Sequence, residues 1–198
     1  MNVTSAFPDD RGYIDVFVSD DDLRRWEEQG LADGAASRHD GLKNARGLAD
    51  ENSDAANVIG KITEHVVAFA LGIKKKEQNR SEDAGPYQVK GTEYERGHLL
   101  VPPRHLLRTF QGDPVPDDQV YILVARRGTQ VFRICGWSTK REIMEAPLSD
   151  FNQPHRPPAH VLSQSELHSM ATLPSIDAMT ASIAATLTRQ TQHRKDGK

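Results

Sequence analysis

The chain has one cysteine, Cys135, among 198 residues. An intrachain disulfide is excluded, and so is a zinc module built on cysteines. Long hydrophobic runs are also missing. The longest, Val66–Leu71 and Val120–Ala125, have six residues each, whereas a membrane-spanning helix takes about 18 or more. No basic-then-apolar stretch stands near Met1, so the expectation is a cytoplasmic chain with no secretion signal and no membrane partner. The eight histidines are scattered, with no HExxH or paired spacing. Ser-His-Asp frameworks, glycine-rich phosphate loops and dinucleotide fingerprints are absent too. Charge of one sign is lacking as well. The chain has 25 basic and 28 acidic residues, net −3, which excludes a globally basic nucleic-acid binder.

What is present is the material of one domain with trimmings. Apolar residues make up 37% and charged residues 27%, and a chain of this size buries roughly 70% of its unfolded surface. The charge is unevenly spread. Residues 1–60 carry net −7, residues 61–108 net +3 and residues 109–198 net +1. The basic stretch holds Lys74, Lys75, Lys76, Arg80, Lys90, Arg96, Arg104 and Arg108. A local basic face binds phosphates whatever the net charge. The plainer alternative is that Lys74–Lys76 only ends a helix, where cations suit the dipole.

Residues 1–18 read as extended and then turn-like. Ser19 is a fitting N-cap, and Asp20, Asp21 and Asp22 fill a first helical turn, so a helix is expected over Asp20–Gln29, ending near Gly30. Residues 31–56 are polar, with a second short helix expected around Gly41–Leu48. Ile59, Ile62, Val66 and Phe69 recur at helical spacing and predict a buried helix over Asn57–Leu71, ended by Gly72. Glu64 lies off that stripe, between Gly60, Val67 and Leu71. A carboxylate there needs a compensating cation or metal. Strands follow at Tyr87–Gly91 and Leu99–Val101, and Val120–Ala125 and Val131–Cys135 form a hairpin across Arg126–Gln130. Asn152–Pro158 is a proline-rich loop. Val161–Leu173 holds a short strand and a helical turn, and Ile176–Leu187 an amphipathic last helix. Cys135 reads as a small buried apolar residue.

The chemically informative stretch is Asp83-Ala84-Gly85-Pro86-Tyr87-Gln88-Val89-Lys90. Gln88 and Lys90 are two apart in a strand and so share a face. Asp83 precedes the strand across a Gly-Pro turn, and Glu64 lies on the helix before it. Two acids, a side-chain carbonyl and a lysine suit metal-assisted phosphodiester hydrolysis. Mg²⁺ takes oxygen ligands, and a lysine can orient water and offset developing charge. Each residue also has a plainer reading: Glu64 as a half-exposed helix residue, Asp83 as a turn former, and Gln88 and Lys90 as the solvated face of an edge strand.

This pattern resembles the PD-(D/E)XK nuclease superfamily, with its restriction-endonuclease-like fold. The matching residues are Gly60-Lys61-Ile62-Thr63-Glu64 on a helix, then Asp83, then Gln88-Val89-Lys90 on a strand. Cys135-Gly136-Trp137, His160-Val161-Leu162, Leu167, Met170 and Leu173 extend the resemblance over about residues 57–173. It implies a Mg²⁺-dependent DNA endonuclease, with Mn²⁺ as a possible substitute. Glu64, Asp83, Gln88 and the Val89 carbonyl would be the metal ligands, and Lys90 the catalytic lysine. RNA stays open as a substrate, and a homodimer as the assembly. Glu82 or Glu77 is an alternative to Asp83. Lys61, Lys74, Lys75, Lys76, Arg96, His98 and Arg104 are the candidate nucleic-acid contacts.

Two further readings stay open. Gln88 stands where the family usually has an acid, which favours a module that binds nucleic acid or a protein partner without cutting. Separately, Glu95-Arg96-Gly97-His98-Leu99 resembles the Asp-Arg-Gly-His motif of ββα-metal non-specific nucleases. That resemblance implies His98 as general base and Asn152 as the metal-binding Asn. The plainer reading is that Arg96 and His98 start a strand beside the basic face. The expected architecture is α/β, a central mixed β-sheet flanked by helices with a restriction-endonuclease-like core. Residues 1–56 are expected as an acidic helical or irregular segment packed on a core of residues 57–191, with a flexible tail over 192–198.

Overall fold

The computed structural model describes residues 4–39, 50–74, 84–107, 114–151 and 157–175, with side chains of 37–39 and 50–53 outside the description. The short helix expected at Gly41–Leu48, the last helix at Ile176–Leu187 and the tail fall outside these residues.

The N-terminal extended stretch is a hairpin of β1 (Ser5–Pro8) and β2 (Ile14–Phe17). Ser19 then caps α1, its Oγ accepting the Asp22 N–H at 3.2 Å. Helix α1 runs over Asp20–His39 and does not end near Gly30 as expected. A Cβ at Gly30 would fall 2.7 Å from the Val58 Cα on the next helix. The glycine therefore permits close helix–helix contact inside α1 and is no terminator. The next helix, α2, spans Asp50–Ala70 and starts seven residues earlier than the apolar periodicity indicates. Its polar start carries Asp54 and Asn57, which lie against Gly34 of α1, so packing on α1 supports a stretch that periodicity alone reads as loop. Ile59, Ile62, Val66 and Val67 are buried as expected, whereas Phe69 is exposed. Gly72 follows the helix, with the Ile73 N–H donating to the Ala68 carbonyl at 2.8 Å.

The remaining strands are β3 (Gln88–Thr92), β4 (Leu99–Val101), β5 (Val120–Arg126), β6 (Val131–Thr139), β7 (Leu148–Ser149) and β8 (Ala159–Leu162). The main sheet is mixed, in the order β1-β2-β6-β5-β3. Its neighbours are antiparallel except β3 and β5, which are parallel. The expected hairpin is present, but β6 continues through Gly136 and Trp137 to Thr139. Cys135 is the extra residue where the β5–β6 register shifts, and it is buried.

A second sheet, β4-β8-β7, covers the opposite face with α3 (Pro103–Leu107) and α4 (Lys140–Glu145). The local pattern gives β4 at Leu99–Val101 as expected and the end of β8, but not the two-residue β7 or the pairing, which joins distant segments. It explains the unbroken apolar run of β5. Val120, Ile122 and Val124 enter the core under α1 and α2, while Tyr121, Leu123 and Ala125 enter the core under the second sheet. A strand buried on both faces reads as continuous hydrophobicity, without alternation. After β8 the chain forms two 3₁₀ turns, Gln164–Glu166 and Met170–Thr172, in place of the single helical turn expected. Trp137 and His168 exchange two backbone hydrogen bonds, 3.1 and 2.8 Å, that tie this segment to β6.

Candidate active site

Strand β3 is an edge of the main sheet. Val89 is buried in the helix-side core. Gly91 faces the same way, since a Cβ there would meet Thr63 Oγ1 at 2.7 Å and Thr63 Cγ2 at 2.9 Å. Gln88 and Lys90 therefore leave the strand on the opposite face. Lys90 Nζ stands 5.9 Å from the centroid of the Tyr121 ring, a separation at which the ring face attracts a cation. Tyr121 is 1% exposed, and its hydroxyl donates to the His105 carbonyl of α3 at 2.9 Å. Lys90, Tyr121 and α3 thus form one corner of the molecule.

Glu64 follows directly after Thr63, the residue that meets the edge strand. Thr63 is fully buried, and its hydroxyl donates back to the Ile59 carbonyl at 2.9 Å. The cation that Glu64 calls for is Lys61, whose Nζ lies 3.3 Å from Glu64 Oε2 and 2.7 Å from Asp33 Oδ2. Burial works against the charge of Lys61. The hydrogen bond to Asp33 and the field of Glu64 outweigh it and hold the pKa above its ordinary value. Lys61, a candidate nucleic-acid contact, is thus engaged by two carboxylates on α1 and α2.

Of the proposed site, Gln88 and Lys90 share one face of β3. Glu64 sits on the helix packed against the other face, next to the point of helix–strand contact. Asp83, with Glu77, Glu82, Lys75 and Lys76, lies outside the described residues. Lys74, Arg96, His98 and Arg104 are exposed. Arg96 borders a shallow depression of mixed sign, where Arg127 pairs with Glu95 at 2.8 Å and Arg126 with Glu93 at 3.3 Å. His98 precedes β4, which pairs with β8. Glu95 of the same motif is bound to Arg127, and Asn152 lies outside the described residues. Among the described residues no three His, Cys, Asp or Glu side chains gather as a metal-holding group.

Tyr121 and His105 beside Lys90, and Asp33 beside Lys61 on the helix side, are not legible as such in the sequence. The one local signal is a phenol within an otherwise aliphatic run, since a buried Tyr hydroxyl needs a partner. Compared with known proteins, the chain matches no family model, no curated protein and no solved structure. No described helix is long and apolar enough to cross a membrane.

Proposed function

We propose that the chain is a Mg²⁺-dependent nuclease of the restriction-endonuclease-like kind, hydrolysing phosphodiester bonds in DNA. One observation carries the reading. Gln88 and Lys90 share one face of an edge strand, and among the described residues Lys90 has no carboxylate partner. The opposite face of that strand rests on the helical turn that bears Glu64. A lysine neutralised by a carboxylate is a poor phosphate ligand, whereas one resting on an aromatic face keeps its three donors for an anion.

Glu64, the amide oxygen of Gln88 and the main-chain carbonyl of Val89 are oxygen donors of the kind a hard cation takes, with Glu64 on the helix side of β3, 3.3 Å from Lys61, and Gln88 on the opposite face. Asp83 would add the second carboxylate. When bound, the metal supplies polarisation of the phosphoryl group and a lowered pKa for water. The chain's own part is positional. Lys90 directs an N–H toward the phosphate or the incoming water and offsets negative charge as it develops. Gln88 holds water or metal through its amide without adding charge. Lys61 stands 3.3 Å from Glu64 and offsets its charge.

The experiment is cleavage of duplex DNA with Mg²⁺, with Mn²⁺ and with chelator, using wild type, Glu64→Ala and Asp83→Ala. Metal-dependent cleavage by wild type alone supports the proposal, and equal cleavage by all three defeats it. The neutral Gln88 favours a second reading, a nuclease-fold module that binds without cutting. Calorimetry separates the two, since that module takes up neither Mg²⁺ nor Mn²⁺.

A further inference from the structure

We infer that α3 is a second phosphate-reading element, in which Arg104 takes a phosphate neighbouring the one at Lys90 and Tyr121 sets the spacing between the two cations. The inference rests on the nuclease reading for the role of Lys90, and its own evidence is that Tyr121 meets both Lys90 and the α3 residue beside Arg104, two cations with no carboxylate partner among the described residues. Lys61, Arg126, Arg127, Arg133 and Lys140 each lie within 3.3 Å of a carboxylate oxygen. Lys90 and Arg104 have none among the described residues, and neither do Arg24, Lys74, Arg96 and Arg141; Lys90 and the residue next to Arg104 differ from these in both meeting Tyr121. The Arg104 Nε donates to His105 Nε2 at 3.3 Å. This leaves the two terminal amino groups of the guanidinium without a protein acceptor among the described residues. Such a fork matches two phosphate oxygens.

Leu106 buries α3 in the second core. The Tyr121 hydroxyl holds the His105 carbonyl, and the ring of the same residue underlies the Lys90 ammonium. One buried side chain on β5 therefore meets both the lysine of β3 and the backbone of α3 next to Arg104. Tyr121 touches no substrate in this arrangement and is a positioning residue.

The test is binding of a duplex DNA oligonucleotide in chelator over a salt series, together with steady-state cleavage in Mg²⁺. Wild type is compared with Arg104→Ala, Arg104→Lys, Tyr121→Phe and Arg141→Ala, the last an exposed cation on α4 that serves as control. Arg104→Ala is expected to weaken binding roughly three- to tenfold and to lower the slope of log K against log salt by about one. In cleavage its loss appears in KM more than in kcat. Arg104→Lys restores the salt slope but not the full affinity. Tyr121→Phe keeps the ring under Lys90 and releases α3, so KM rises while cooperative unfolding is retained. Arg141→Ala behaves as wild type. Wild-type affinity and slope in Arg104→Ala overturn the inference, whether or not the wild type cuts DNA. A Tyr121→Phe protein with a lowered melting temperature and unchanged KM overturns the positioning role. A wild type that binds DNA with the Arg104-dependent slope but never cleaves it supports the inference and defeats the nuclease reading. A chain that binds neither duplex nor single-stranded nucleic acid defeats both.

Discussion

Gly91 stands between the two residues on which the proposed chemistry most depends. It follows Lys90 on β3 and receives Thr63, the neighbour of Glu64. An alanine there would place its Cβ 2.7 Å from Thr63 Oγ1 and 3.2 Å from the Ile59 carbonyl, so either β3 or α2 has to move. Gly91→Ala is expected to cost about 1–3 kcal/mol, as overpacking does. Because the displacement acts between Lys90 and Glu64, DNA cleavage should fall further than the stability loss explains. Urea unfolding alongside a cleavage assay checks both, and a variant as stable as wild type contradicts the close contact. At this scale period-two alternation already shows that Gln88 and Lys90 share a face. The tie between Lys90 and Tyr121 is not legible, because it depends on β3 lying parallel beside β5 with Gln88 opposite Tyr121. Sequence spacing carries no information about that register.

Among the elements, α4 shows how a short helix of six residues is held. Thr139 accepts the Glu142 N–H, and Glu142 reaches back to the Thr139 N–H at 2.8 Å, a reciprocal cap. Thr139→Ala should cost about 1 kcal/mol in denaturant unfolding. The Glu142 carboxylate also meets His168 at 2.7 Å and Ser138 at 3.0 Å. Burial opposes its ionisation, but the Thr139 N–H, His168 and the two hydroxyls outweigh burial and bring the pKa down to about 2, against an ordinary 4.5. A depressed carboxylate pKa contributes stability that is fully present above the unfolded value and is lost as pH falls through the folded one. The melting temperature should therefore decline between about pH 4.5 and pH 2, and Glu142→Gln should flatten that limb. Equal acid sensitivity in wild type and variant would contradict the assignment. The elements carried by strong periodicity, the α2 core and the β5–β6 hairpin, are legible in the sequence. The length of α1 is not, since a glycine packed against a neighbouring helix looks the same in sequence as a glycine that ends one. The β4-β8-β7 sheet is not legible either, because its pairing is long-range.

Across the whole molecule, the two-layered cover of the sheet and the sorting of charge belong together. Acidic residues of the first 60 neutralise cations from later in the chain. Asp33 engages Lys61, and Asp15 engages both Arg127 at 3.0 Å and Arg133 at 2.7 Å. The Arg133 hydrogen bond holds the Asp15 carboxyl below its ordinary range against the opposing effect of burial. The net −3 thus conceals cations engaged by carboxylates in the fold and others, Lys90 and Arg104 at the β3–α3 corner among them, that carry no carboxylate partner among the described residues. Binding through so few cations should be local, weak and only shallowly dependent on salt, by about one unit of log–log slope per cation. The most direct test of the account is the nicking of supercoiled plasmid DNA in Mg²⁺ by wild type and by Lys90→Ala, with the fold of each verified by circular dichroism. Metal-dependent nicking is expected of the wild type, with a loss of about 100-fold or more in Lys90→Ala. A wild type that leaves the plasmid intact, or a Lys90→Ala protein that nicks it as fast, would contradict it.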